Sequence, residues 1–403
     1  ENISACSGNF FRAESHCFYA STNLFREDIY KVGIFSVISL LGGLSIFLYG
    51  MDIMGDGLKS SSSKALKSML EKVTHSAVLG MLTGTLVTSV IQSSTATIVL
   101  TVGLLSAGIL NLRQSISIVM GANIGTTVTA QIIRLMDINS SGAAFIEIFK
   151  PSTLAPLAVL CGIILLKFVK SQKTKGIGMM LMGFGILFTG LMGMTEAVSP
   201  LSESQAFTDV LQKFSDVPIL GILTGLITTF IVQSSSAVIG MVQALSSTGA
   251  FTFQTVYPLI IGINLGTCIT TAIVCSIGTD KDAKRTGIAH ILFNCIGTVL
   301  FMAAIPLLHH AGALNFIWGK PMNSGGIANF TTIFNLVTAV ALLPFTNQLV
   351  KLTTLIVKDS PDDTEDFYPE MRTLDEKLFI SPALALHQVN IAEASMGRLA
   401  RKN

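Results

Sequence analysis

The chain has 403 residues, half of them hydrophobic and 12% charged, with a formal net charge of +2 and a mean hydropathy of +0.65. A soluble chain of this length carries roughly a quarter charged residues. The composition therefore excludes a water-soluble globular protein, and the small net charge excludes a nucleic-acid partner. The N-terminal tail, 1–32, lacks the compact apolar core of a signal peptide. It holds Cys6 and Cys17, which could pair if the tail is extracellular. From residue 33 the charges cluster at 59–72, 167–175, 280–285 and beyond 351. The apolar stretches between them are long enough to cross a bilayer, which takes about 20 residues.

In chain order, a spanning helix over 33–56 leads into an amphipathic link over 60–73. The apolar segment 76–109 carries Gln92-Ser93-Ser94-Thr95 at its middle, and a helix over 114–135 follows. A further helix fits 151–169. The order then recurs with a helix over 176–196, a link over 202–215, the segment 218–249 with Gln233-Ser234-Ser235-Ser236, and a helix over 255–277. Helices over 287–309 and 327–350 complete the membrane part, and a polar tail follows from 351.

The recurrence is a duplication at a constant offset of 141 residues. Leu79-Gly80-Met81-Leu82-Thr83-Gly84 matches Leu220-Gly221-Ile222-Leu223-Thr224-Gly225, and Gln92-Ser93-Ser94 matches Gln233-Ser234-Ser235. Gly121-Ala122-Asn123-Ile124-Gly125-Thr126 matches Gly262-Ile263-Asn264-Leu265-Gly266-Thr267, and Thr129 matches Thr270. Chance alignment of apolar segments would match Leu and Ile, not Gln, Asn, Gly and Thr in register.

A single helix over 78–109 would run about 48 Å at 1.5 Å per residue, too long for a hydrocarbon core of about 30 Å. Each half alone is too short to span. Two short halves meeting at a polar break point to a re-entrant helical hairpin, and 218–249 reads the same way. Interrupted segments at matching positions of two repeats mark a transporter binding site. The expected fold is an all-α membrane protein of two inverted-topology repeats, with about seven spanning helices plus two hairpins. Its units are the tail 1–32, repeat 1 over 33–140, a connecting helix and cytoplasmic loop over 141–175, repeat 2 over 176–280, C-terminal membrane helices over 281–355, and a tail over 356–403. Lysines set the orientation. Lys59, Lys64, Lys67 and Lys72 put the first link inside, whereas its partner at 198–216 has only Lys213. The N-terminus then lies outside and the C-terminus in the cytoplasm.

At each break a starting half-helix, near Thr95–Thr97 or Ser236–Val238, presents free N–H groups and a positive dipole end suited to an anion. The ending half, near Ile91–Gln92 or Val232–Gln233, presents free carbonyls suited to Na⁺. The anion-binding candidates are Gln92, Ser93, Ser94, Thr95, Gln233, Ser234, Ser235 and Ser236. The Na⁺ candidates are Gln92, Ser93, Gln233 and Ser234, completed from the side by Asn123, Thr126, Thr127, Asn264, Thr267 and Thr270. No Arg or Lys lies in the motif segments. A multivalent oxyanion held only by amides and hydroxyls would be poorly compensated, and bound Na⁺ would supply the missing charge. Each ligand then raises the affinity of the other.

The structural alternatives are specific. Ser and Thr in membrane helices often bond back to the preceding turn, and Gly serves packing. Two in-register copies at matching breaks outweigh that reading here. No GxSxG elbow is present and the six His residues are scattered, which argues against an enzyme. His290, which precedes Phe293-Asn294 and is echoed by Phe334-Asn335, reads as a packing residue. Asp52 and Asp56 read as interfacial.

The paired Gln-Ser-Ser motifs, each followed by Gly-x-Asn-x-Gly-Thr, resemble the type II sodium-dependent phosphate cotransporter family over about 33–350. His290-Ile291-Leu292-Phe293-Asn294 is similar to that family's histidine–phenylalanine–asparagine segment. The resemblance implies inward transport of inorganic phosphate driven by co-transported Na⁺, with the Gln-Ser-Ser segments forming the sites, in a multi-pass protein of the plasma membrane (a bacterial inner membrane). A homo-oligomer is compatible with it. Cys268 departs from the pattern where the first copy has Thr127. The tail resembles the linker and first helix leading, in bacterial members, into a domain similar to the phosphate-regulatory protein PhoU. The alternatives are a Na⁺-coupled transporter of sulfate or a dicarboxylate, and an anion channel or phosphate sensor.

Overall fold

The computed structural model describes residues 34–71, 76–106, 108–137, 150–200, 217–276 and 281–358, with a few isolated positions elsewhere; of 34–35 and 62–71 it describes the backbone alone. The N-terminal tail with Cys6 and Cys17, most of the second link, and nearly all of the C-terminal tail lie outside the described residues. The described residues form twelve α-helices: α1 (Ile34–Glu71), α2 (Ala77–Ile91), α3 (Ser94–Ser106), α4 (Leu112–Ile133), α5 (Pro151–Phe168), α6 (Gln172–Val198), α7 (Pro218–Val232), α8 (Ser235–Ser246), α9 (Phe253–Ser276), α10 (Lys281–His310), α11 (Ser324–Leu342) and α12 (Thr346–Ile356). Seven stretches among them are long and apolar enough to cross a membrane, while α2, α3, α7 and α8 are too short. The protein is an all-α, multi-pass membrane protein.

Two boundaries differ from the sequence reading. The spanning helix and link expected over 33–56 and 60–73 are one continuous helix, α1. No proline interrupts it, and Gly43, Gly50 and Gly57 are buried against a neighbour rather than used for turns. The segment expected as one helix over 327–350 is instead broken into α11 and α12 by a 3₁₀ turn at Leu343–Phe345. Pro344 sits in that turn, where it has no N–H to give to the helix ladder.

Glycines govern how the two copies meet. A Cβ on Gly50 would lie 2.3 Å from the Leu187 nitrogen, and one on Gly183 would lie 2.3 Å from the Met54 nitrogen. Gly43 meets Gly190 and Gly57 meets Gly176 in the same way. Position numbers rise on α1 as they fall on α6, so these two equivalent helices run antiparallel. Phe47, Met54, Leu187, Phe188, Leu191 and Met194 fill the seam between them.

Polar contacts tie the ends of the bundle. At one end Ser115 and Thr286 hydroxyls meet at 3.0 Å, and Arg285 donates to the Val357 carbonyl at 2.8 and 3.1 Å. At the other, Arg134 donates to Asn329 Oδ1 at 3.0 Å and the Met322 N–H to the Phe251 carbonyl at 2.7 Å. The connection after α3 thus lies at the starting end of α10, and the connection after α8 at its finishing end. An aromatic cluster of Phe253, Tyr257, Phe301, Phe330 and Phe334 packs near the latter.

Candidate functional site

The site is built from two breaks. Helix α2 stops at Gln92 and α7 at Gln233, with φ/ψ of 59°/20° and 57°/19°. These are the two non-glycine residues with positive φ among the described residues. Left-handed backbone costs an L-residue about 1–2 kcal/mol, and glycine ordinarily takes this role at a helix end. Strain retained twice, at equivalent positions, marks a functional constraint. It sets a glutamine side chain at each turn where glycine would leave none.

The opposite arms begin at once. Ser93 Oγ accepts from the Ala96 N–H at 3.2 Å and Ser234 Oγ from the Ala237 N–H at 3.3 Å, so both serines act as N-caps. The amides of Ser94 and Thr95, and of Ser235 and Ser236, fall in the first turn, where no intrahelical acceptor exists. Both turns open on one cavity of about 50 Å³, lined by Gln92, Ser93, Ser94, Thr95, Gln233, Ser234, Ser235, Ser236, Thr267 and Thr270. None of these ten carries a charge. The cavity offers hydroxyls, amides and two helix N-termini, a set that suits an oxyanion and hard cations together.

The lateral candidates divide. Thr267 and Thr270 line the cavity, with hydroxyls donating to the Asn264 carbonyl at 2.6 Å and the Thr267 carbonyl at 2.9 Å. Thr126 and Thr127 do not line it; they donate to the Ala122 and Ile124 carbonyls at 3.0 and 2.7 Å. Asn123 and Asn264 are buried beside helices α10 and α11. Asn123 Nδ2 donates to the Val119 carbonyl, so its Oδ1 accepts the Nε2–H of His290 at 3.1 Å. Asn264 Nδ2 donates to the Ile260 carbonyl, and its Oδ1 accepts from Asn335 Nδ2 at 3.3 Å. Cys268 Sγ lies 3.7 Å from the His290 carbonyl and 3.9 Å from that of Asn264.

Three groups behind the site were not among the ligand candidates. His290, read from sequence as a packing residue, is fully buried on the Asn123 amide, Asn335 caps the Asn264 amide, and Thr129 donates to Gln92 Oε1 at 2.5 Å. The echo of Phe293-Asn294 in Phe334-Asn335 is the available signal for the first two.

The glycines beside the asparagines press each hairpin onto its following helix. A Cβ on Gly121 would lie 1.9 Å from the Met81 carbonyl oxygen, and one on Gly262 would lie 2.1 Å from that of Ile222. The motif thus sets close backbone approach at Gly121 and Gly125 on one side of the helix and the Asn123 amide, two residues from each, on the other. The sequence model of a family described as Na⁺/Pi-cotransporter matches twice, over residues 46–196 and 194–339. The chain belongs to this family. Among similar proteins, Bacillus subtilis YqeW is 29% identical over 80% of this chain and 98% of its own length. YjbB of Escherichia coli K12, named for inorganic phosphate export, is 24% identical over 87% of this chain and 61% of its own length. Human sodium-dependent phosphate transport protein 2B is 34% identical over 108 residues, 26% of this chain and 16% of its own. No solved structure matches.

Proposed function

We propose that this family member carries inorganic phosphate together with Na⁺ across the cell membrane by alternating access. One observation carries the reading: two equivalent Gln-Ser-Ser turns, from two copies of the chain's repeat, line a single uncharged cavity. The helix N-termini at Ser94 and Ser235 supply dipole ends to the anion, and the hydroxyl and amide oxygens supply ligands to Na⁺. With no basic lining residue, a phosphate anion in this cavity needs co-bound cations, and mutual stabilisation of the two is the thermodynamic basis of symport. The antiparallel pairing of α1 with α6 supports two units of opposite orientation, the arrangement in which one central site can be reached from either side. The lysine pattern supports a cytoplasmic C-terminus. Reading the chain as a carrier rather than an enzyme rests on the same cavity and on the family.

Radiolabelled phosphate uptake into sealed vesicles tests this. Accumulation should follow an imposed Na⁺ gradient and resist excess sulfate; uptake indifferent to Na⁺ overturns the coupling, and competition by sulfate overturns the anion. The name of YjbB favours a second reading, efflux of phosphate. Preloaded vesicles with the Na⁺ gradient reversed, scored for outward flux at physiological ion levels, distinguish the two directions.

A further inference from the structure

The second hairpin differs from the first in how its arms meet. In the first, the Thr88 hydroxyl donates to the Thr97 hydroxyl at 2.9 Å, a buried staple joining α2 to α3. At the equivalent positions the second has Thr229 and Val238. The fully buried Thr229 Oγ1 has no partner among the described residues. Helix α8 is held elsewhere: Gln243 Nε2 donates to the Ala130 carbonyl at 3.1 Å and to the Ser324 carbonyl and hydroxyl at 3.0 and 2.8 Å. Helix α7 follows α9, locked by the Gly225 and Gly262 approaches.

Between the arms lies a cavity of about 220 Å³, walled by Thr228, Val238, Met241, Val242, Leu245 and Leu259 among others. Its surface is almost wholly apolar, so water, which needs polar partners, has little to hold it there. The space is several times the ~30 Å³ share of a liquid water molecule, and a packed protein interior does not leave such a volume unfilled. Of its lining residues Thr224 on α7 is the exposed one, beside Leu223, Ile227 and Ile231, which are 46%, 51% and 73% exposed. In a membrane-spanning chain this side of α7 meets hydrocarbon.

We propose that this cavity is a binding site for one acyl chain of a membrane phospholipid, entering from the bilayer beside Thr224 and seated between α7 and α8. The chain lies against Val238, five residues beyond Gln233 at the tip. Continuity of the mouth with the lipid-facing side of α7 selects an acyl chain over a soluble apolar ligand.

The test is photo-crosslinking in nanodiscs made with a phospholipid bearing a diazirine in its acyl chain, with adducts mapped by mass spectrometry. Adducts are expected on Met241 and Leu245 as well as on the outward residues Leu160 and Ile164 of α5. Val242→Trp, which fills the cavity, should lose the Met241 and Leu245 adducts and keep those on α5. Leu245→Phe, a smaller insertion run in parallel, should reduce the Met241 adduct, and it serves alone should the tryptophan variant fail to assemble. Labelling confined to outward faces overturns the proposal, as does labelling of Met241 that survives both fillings. The readout is independent of phosphate transport, so it stands or falls apart from the proposed function.

Discussion

The two Gln-Ser-Ser segments match in sequence at an offset of 141 residues and hold their tips in different ways. The first is closed on itself: Thr88 bonds Thr97 across the arms, Gln92 is buried, and its amide accepts from Thr129. In the second, Val238 stands in place of the threonine, Thr229 Oγ1 has no partner among the described residues, and Gln233 is exposed. What they share is the backbone at the turn, the serine N-cap, and the glycine bed beneath. The difference teaches which features the site requires twice and which one tip has given up. Substitutions that remove the shared features should be severe, and those that exchange the differing ones should be mild.

The most severe change attacks the glycine bed. Gly262→Ala puts a methyl 2.1 Å from a backbone oxygen of α7, and neither partner is a side chain that can move aside. The helices must separate, at a cost of about 3 kcal/mol or more, the upper range for overpacking. Little folded protein should be recovered by size-exclusion chromatography, and Gly121→Ala should behave alike. Normal yield of both would show that the hairpins are not held by this approach.

Next comes the turn itself. Glycine fits φ near 57° without strain, so Gln233→Gly keeps the backbone while deleting the amide. Thermal stability in detergent should stay within about 1 kcal/mol. Phosphate uptake should fall about 10- to 100-fold, matching loss of a hydrogen bond to a charged ligand worth roughly 1.5–3 kcal/mol. Gln92→Gly should lose as much uptake. Near-normal transport by either would remove that glutamine from the ligand set.

Much of this comparison is legible in the amino-acid sequence. The offset of 141 residues aligns Thr229 with Thr88 and Val238 with Thr97, and the length argument puts the breaks at the two Gln-Ser-Ser sequences, where α2, α3, α7 and α8 do end and begin. The left-handed glutamines are not legible, because that conformation is read from glycine or asparagine and its occupation by glutamine follows only from tertiary constraint. Nor are the partners of Asn123 and Asn264. Their asparagine–glycine spacing fits a helix face, yet which helix covers that face depends on pairings 167 and 71 residues apart in sequence. The continuity of α1 escapes for another reason. The polar, lysine-bearing run after residue 58 reads as a separate link, yet the backbone stays helical through it.

The staple is the sharpest exchange. Thr97→Val strands the Thr88 hydroxyl and should lower stability by about 1 kcal/mol. Val238→Thr gives the buried Thr229 hydroxyl a partner and should raise stability by a similar amount. Both are read as shifts in the thermal midpoint of purified protein. Val238→Thr should also draw α7 and α8 together and reduce acyl-chain labelling of Met241. Equal and opposite shifts would establish that the hairpins differ by this pair; a destabilising Val238→Thr would show that the second hairpin cannot close.

The smallest effect is expected where the copies differ in chemistry but not in the site. Cys268 stands where the first copy has Thr127. Its thiol is buried and directed at the carbonyls of His290 and Asn264. It does not line the cavity, and neither does Thr127, whose hydroxyl bonds the Ile124 carbonyl of its own helix. A threonine at 268 is close in volume and can bond the carbonyl of Asn264 one turn back, as Thr126 does with Ala122 in the first copy. Cys268→Thr should therefore shift stability by less than about 1 kcal/mol, the net worth of one neutral hydrogen bond. The Na⁺ concentration for half-maximal uptake should be unchanged. A severalfold change in that concentration would mean that the lateral face of α9 feeds the cation site, and that loss of an oxygen at 268 has weakened the second copy's share of it.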